Sequence, residues 1–199
     1  MLFRLFIELN DLLTVTVCYN DSKEYSYNVV NAADKWLTKG VGDVRNIIGY
    51  PGYISPARHN HLIILFGFEV ERTQRVIEKF EADIVSIGFG SEENSINSVH
   101  YAINQNRHKQ LLNFNSNLNV FTLSLIDPKK TKANLIEQIL KYPDTNVIIA
   151  AMNTKLSTVG AALAFRDNPD IQLCYVKANL YNIEGYSLAG ENVYLFDVL

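Results

Sequence analysis

Cysteine is scarce: Cys18 and Cys174 are the only two in 199 residues. That excludes a disulfide scaffold and leads us to expect a reduced, cytoplasmic protein. Long hydrophobic runs are lacking too. No stretch approaches the roughly 18 apolar residues that a membrane-spanning helix needs. Met1 to Glu8 has no charged leader ahead of a long apolar stretch and a small-residue cleavage site, so it does not read as a signal peptide. Nor is there an excess of charge: 18 basic against 21 acidic side chains leave −3, too near neutral for a protein that lives on nucleic-acid backbone. The four histidines (His59, His61, His100, His108) lack zinc-ligand spacing and Gly-x-Ser-x-Gly is missing, which argues against a metal centre and a nucleophile elbow. No metal, cofactor, membrane or direct nucleic-acid partner is expected.

What is present is enough for a real core, with 48% hydrophobic and 20% charged residues, and residues 1–199 fit one domain. Short apolar runs alternate with amphipathic segments. His61–Gly67, Ile84–Gly88, Val120–Ile126, Val147–Ala151 and Ile171–Val176 read as buried strands. Between them, Glu69–Phe80, Ser95–Phe114, Lys129–Tyr142 and Leu156–Phe165 read as helices. The third of these should turn Ala133, Ile136, Ile139 and Leu140 inward, and His100 and His108 should face solvent on the polar helix. Strand–helix alternation at this pace predicts an α/β, Rossmann-like open, mostly parallel sheet with helices on both faces. Residues 28–60, broken by Gly40, Gly42, Gly49, Gly52, Pro51 and Pro56, read as a long edge connection.

The chain also repeats itself. Val17-Cys18-Tyr19 with Tyr25-Ser26 matches Leu173-Cys174-Tyr175 with Tyr181-Asn182 at an offset of 156 residues. Helix candidates Phe3–Leu9 and Val159–Phe165, ending in Asn10-Asp11 and Arg166-Asp167, precede the two copies at the same offset. The pattern predicts a pseudo-symmetric sheet edge. The second copy has a strand and loop ahead of its helix, so the first suggests that the parent fold begins before Met1.

In open parallel sheets ligands bind beyond the carboxyl ends of strands, and four loops fall there. Asn153, Thr154, Lys155, Ser157 and Thr158 open a helix whose unpaired amides and lysine suit a phosphate or carboxylate; ordinary capping by Asn153, Thr154 or Ser157 is the other reading. Gly67 permits close backbone approach beside Phe68, while Glu69 and Arg72 either meet a ribose or form a surface ion pair. Gly88, Gly90 and Ser91 make an anion-accepting nest or a plain turn, with Glu92 and Glu93 opposing phosphate. Tyr181 heads a tyrosine loop that either stacks on a base or packs a sheet edge. Asp127, before Pro128, is either a helix cap or a catalyst.

The run Asn153-Thr154-Lys155-Leu156-Ser157-Thr158-Val159-Gly160, after a buried strand, resembles the signature loop of CRISPR-associated Rossmann-fold sensor domains. That resemblance implies a ligand-sensing domain of bacterial antiviral systems, often dimeric and coupled to an effector, holding cyclic oligoadenylate. Met152-Asn153 stands where that family usually has glycine. The Gly67-Phe68-Glu69…Arg72 turn, the Asn153–Ser157 loop and the Cys174-Tyr175…Tyr181-Asn182…Tyr186-Ser187 strand are similar to bacterial Rossmann-like proteins found with defence or mobile-element genes, a group that brings no reaction with it. Three functions follow: a nucleotide-binding sensor or accessory domain relaying occupancy to a protein partner or second copy, a small enzyme acting on a nucleotide or cyclic oligonucleotide, or a structural subunit of a defence complex.

Overall fold

A computed structural model describes residues 2–9, 12–115 and 117–198. Its main sheet has six strands: β2 (Thr38–Asn46), β3 (Asn60–Leu65), β4 (Ile84–Gly90), β5 (Asn119–Leu123), β6 (Asn146–Ala151) and β7 (Gln172–Tyr181). The spatial order is β2-β7-β6-β3-β4-β5, all neighbours parallel except β2, which pairs antiparallel with β7. Five helices accompany them: α1 (Leu2–Glu8), α2 (Val70–Phe80), α3 (Ser98–Phe114), α4 (Pro128–Leu140) and α5 (Lys155–Asp167). Two further strands, β1 (Thr16–Tyr25) and β8 (Ser187–Asp197), form a separate antiparallel ribbon.

The central parallel strands β3 and β6 form because their sequences are apolar beyond the first residue or two, as burial on both faces requires. Ile63, Leu65, Ile149 and Leu173 pack on one face against Leu135 of α4 and Ala161, Ala164 and Phe165 of α5. Leu62, Ile64, Phe66, Ile148 and Cys174 pack on the other against Val76 of α2 and Leu111 of α3. Helices therefore cover both faces, and the fold is the open, mostly parallel α/β architecture that strand–helix alternation predicts. Gly160 lets α5 close on α4, since a Cβ there would sit 2.5 Å from Thr131 Cβ.

Several expectations need correction. The 28–60 connection contains a strand, β2, whose alternating, polar sequence hides it. Glycines suit this edge: Gly40 has φ +67, and the register shifts between Val41 and Asp43. His100 and His108 are buried rather than solvent-facing. The His100 ring lies 4.6 Å from that of Tyr25, and His108 stacks on Phe89 at 4.3 Å, so aromatic neighbours cover the two imidazoles. On α4, Ala133 and Leu140 are exposed; Thr131, Leu135 and Gln138 turn inward, with Ile136 and Ile139 partly buried.

The repeat does not produce equivalent edges. Its first strand, β1, lies in the ribbon with Cys18 exposed, whereas β7 lies in the main sheet with Cys174 buried. The helix ahead of β1 is docked, with Ile7 in the core and the Arg4 guanidinium 5.0 Å from the Phe165 ring centre. Asn10 and Asp11 lie outside the described residues.

Candidate functional site

From β3 the chain steps outward to β4 and β5, then crosses back through α4 to β6, on the other side of β3. The turns leaving β3 and β6 therefore diverge to opposite faces, and a crevice opens between them. This is the topological switch point at which open α/β sheets bind ligands. A cleft of about 480 Å³ occupies it, a size that suits a small-molecule ligand.

One wall is the β3–α2 turn, Gly67, Phe68 and Glu69, with Arg72 one helical turn on. Gly67 is required by packing, because a Cβ there would lie 2.2 Å from the Met152 carbonyl oxygen. The close approach that Gly67 permits is thus between the two turns themselves. Asn153 reinforces it, its Nδ2 donating to the Phe66 carbonyl. Glu69 is largely buried; desolvation raises its carboxyl above the ordinary range, against the pull of Arg72 and the Thr38 amide. That amide donates to Glu69 Oε1 at 3.0 Å. The Arg72 guanidinium is held through its two terminal nitrogens, while its buried Nε has no partner among the described residues. Nη2 donates to the Val176 carbonyl at 2.5 Å and Nη1 to Thr38 Oγ1 at 3.4 Å, with Glu69 Oε2 at 3.8 Å from Nη1.

The opposite wall is the start of α5. Thr154 is its N-cap: Oγ1 accepts the Ser157 amide at 3.1 Å and donates to the Leu125 carbonyl at 2.8 Å. Ser157 is buried and turns its hydroxyl to the Thr154 carbonyl at 2.8 Å. The amides of Lys155 and Leu156 find no acceptor among the described residues. The helix starts at this end of the sheet differ in charge, and two of them, those of α2 and α5, line the cleft. Glu69 and Glu71 stand at the start of α2, and Asp127 caps α4 through the Lys129 and Lys130 amides. The first turn of α5 carries no acid, and the exposed Lys155 adds its charge to the partial positive charge there.

The third wall is aromatic. Tyr19 and Tyr25 of β1, Tyr175 and Tyr181 of β7, and Tyr186 ahead of β8 line the cleft, with Leu188 beside them. The Tyr175 and Tyr181 hydroxyls lie 3.1 Å apart, and that contact raises the Tyr175 phenol. Burial, then Glu69, raises that of Tyr186.

Of the candidate residues, Gly67, Phe68, Glu69, Arg72, Asn153, Thr154, Lys155, Thr158 and Tyr181 line this one cleft. Gly88, Gly90 and Ser91 do not reach it. Gly88 and Gly90 press against Phe121, Leu123 and Leu125, and Ser91 bonds Asn94 and Ser95. Ser157 lies behind the wall. Reading strand ends alone misses Tyr19, Asp21 and Tyr25, because the ribbon reaches the cleft from outside the parallel sheet, and it misses Tyr175 because that residue lies within β7 rather than at its end. A signal for them did exist: Tyr19, Tyr25, Tyr175 and Tyr181 are the tyrosines of the 156-residue repeat. Among the described residues no three His, Cys, Asp or Glu side chains gather as a metal site, and no helix is long and apolar enough to cross a membrane.

Fold and site together define a doubly wound α/β protein with a polar, tyrosine-walled cleft at its switch point. No family model matches the chain, and comparison with curated proteins returns no match. Among solved structures, it is similar to Can2 from Sulfobacillus thermosulfidooxidans in complex with cyclic tetra-adenylate, at 14% identity and a TM-score of 0.48. The match covers 65% of this chain and 36% of that one, so the chain spans about a third of that protein's length.

Proposed function

We propose that this chain is a cytoplasmic sensor or accessory domain of a bacterial defence system, binding a nucleotide-type ligand in the switch-point cleft and relaying its occupancy to a protein partner or a second copy. One observation carries the reading. The cleft brings an acid-free helix start with Lys155 together with a wall of tyrosines. An anion belongs at the first and a flat base at the second. The ribbon offers a route for the relay, since one face lines the cleft through Tyr19 while the other exposes Val193 and Leu195.

A second reading, turnover of the bound nucleotide, is favoured by Glu69 alone. A buried carboxyl with a raised pKa in a cleft is the usual setting of a general acid or base. A panel of nucleotides that includes cyclic tetra-adenylate separates the readings, with melting shift read alongside product chromatography. Stabilisation without product supports the sensor, and product supports the enzyme. No response to any member rejects both and leaves a structural subunit. Lys155→Ala is expected to abolish the shift; a shift that survives it removes the anion site from α5.

A further inference from the structure

We propose that the cleft takes a nucleotide bearing a single phosphate, as monoester or diester, and turns away di- and triphosphates. The inference rests on the nucleotide reading above and follows from the charges that line the cleft. Four ionisable side chains of fixed sign do so: Asp21, Glu69, Arg72 and Lys155. Arg72 is balanced by the Glu69 carboxylate at 3.8 Å and donates to Thr38 and the Val176 carbonyl, with only its Nε unpartnered among the described residues. Among the described residues Asp21 has no cation; its carboxylate accepts from the amide and Nδ2 of Asn192, at 3.4 and 3.0 Å. Among the described lining residues, Lys155 alone is a cation without an acidic partner. The α5 start beside it carries no carboxylate, unlike the α2 start that forms the other wall.

A phosphate at Lys155 thus uses all the positive charge lining the cleft that no carboxylate already balances. A second phosphate extending toward the β3–α2 turn meets Glu69, and one extending toward the ribbon meets Asp21. Both carboxylates stand in partly desolvated surroundings where like charges repel more strongly than in water. The tyrosine wall adds stacking surface but no charge.

Isothermal titration calorimetry of the full chain, in EDTA to remove divalent cations, tests this with adenosine 5′-mono-, di- and triphosphate and with adenylyl-(3′,5′)-adenosine. The monophosphate and the diester should bind tightest, and each added phosphate should weaken binding about tenfold. Glu69→Gln should narrow the gap between mono- and triphosphate, since it removes a carboxylate, releases Arg72 and still accepts the Thr38 amide. Asp21→Asn, on the outer ribbon, gives the same readout should the Gln variant fail to fold. A triphosphate bound as tightly as the monophosphate overturns the inference and leaves the nucleotide reading standing. An unchanged gap in a folded variant overturns it too. If none of the four ligands binds, the nucleotide reading falls and the inference falls with it.

Discussion

At residue scale the cleft depends on contacts that a single atom can break. Gly67 and Met152 belong to different turns, yet a methyl group on Gly67 would meet the Met152 carbonyl oxygen at 2.2 Å. Both partners are backbone, so neither can rotate away, and Gly67→Ala must push the two turns apart. Urea unfolding should show a loss of about 1–3 kcal/mol, the usual cost of forcing an extra methyl into a packed site. Thr154 is a different case. Its hydroxyl both caps the Ser157 amide and donates to Leu125, tying α5 to the turn after β5. Thr154→Ala should cost about 1 kcal/mol in the same measurement, whereas Thr154→Ser should restore most of it, because serine keeps the capping oxygen.

At the scale of elements, the ribbon is the part least able to stand alone. Two strands without a covering sheet are marginal in water, so β1 and β8 depend on their attachment. Asn182 supplies much of it. Its Nδ2 donates to Ser26 Oγ, Asn28 Oδ1 and the Trp36 carbonyl, at 3.3, 3.0 and 3.2 Å, and its Oδ1 accepts from Asn28 Nδ2. Lys35 adds to it, its buried ammonium reaching Glu24 Oε1 at 2.7 Å and the Tyr25 and Ser26 carbonyls at 3.1 Å. Asn182→Ala should speed hydrogen exchange throughout β1 and β8 while β3 and β6 stay protected. Uniform acceleration across all strands would show instead that ribbon and sheet unfold as one unit.

The same division explains what could be read from the sequence. β3 and β6 announce themselves because His61–Phe66 and Val147–Ala151 are buried on both faces and contain almost nothing but apolar residues. The turns after them follow from strand order, which is why Gly67–Arg72 and Asn153–Thr158 were recognisable as one side of a site. β1, β2 and β8 are edge or ribbon strands with mixed polarity, and their partners lie far away in sequence: Thr16 opposes Asp197. No local pattern encodes such a pairing. His100 and His108 mislead for a related reason. Their cover comes from the rings of Tyr25, Phe68, Phe66 and Phe89, none of them on α3 itself.

For the molecule as a whole, those imidazoles set the response to acid. His61 is fully buried, with Nε2 at 2.7 Å from Ser86 Oγ, no partner for Nδ1 among the described residues, and the Tyr142 ring alongside. Among the described residues His100 has no partner at either nitrogen; it packs on Tyr25 and Phe68, with Lys35, Glu24 and Asp21 as the charged groups acting on it. Phe66 and Phe89 enclose His108, whose Nε2 is unpartnered. Burial pushes His61 and His100 down to about 4 and lowers His108 as well. An unfolded imidazole titrates near 6.5, so between about 6.5 and 4 the unfolded chain holds protons that the folded one refuses. Stability must therefore fall as pH drops through that window and level off, for these groups, below it. Glu69, raised by burial, works in the opposite sense, but it is one carboxyl against three imidazoles. Melting temperature should hold steady from pH 8 to 7 and decline from 6.5 toward 4. His100→Phe should flatten the decline, since a phenyl ring keeps the packing on Tyr25 and has nothing to protonate. A melting temperature unchanged between pH 7 and 4.5 would mean that these histidines take up protons without leaving their aromatic neighbours.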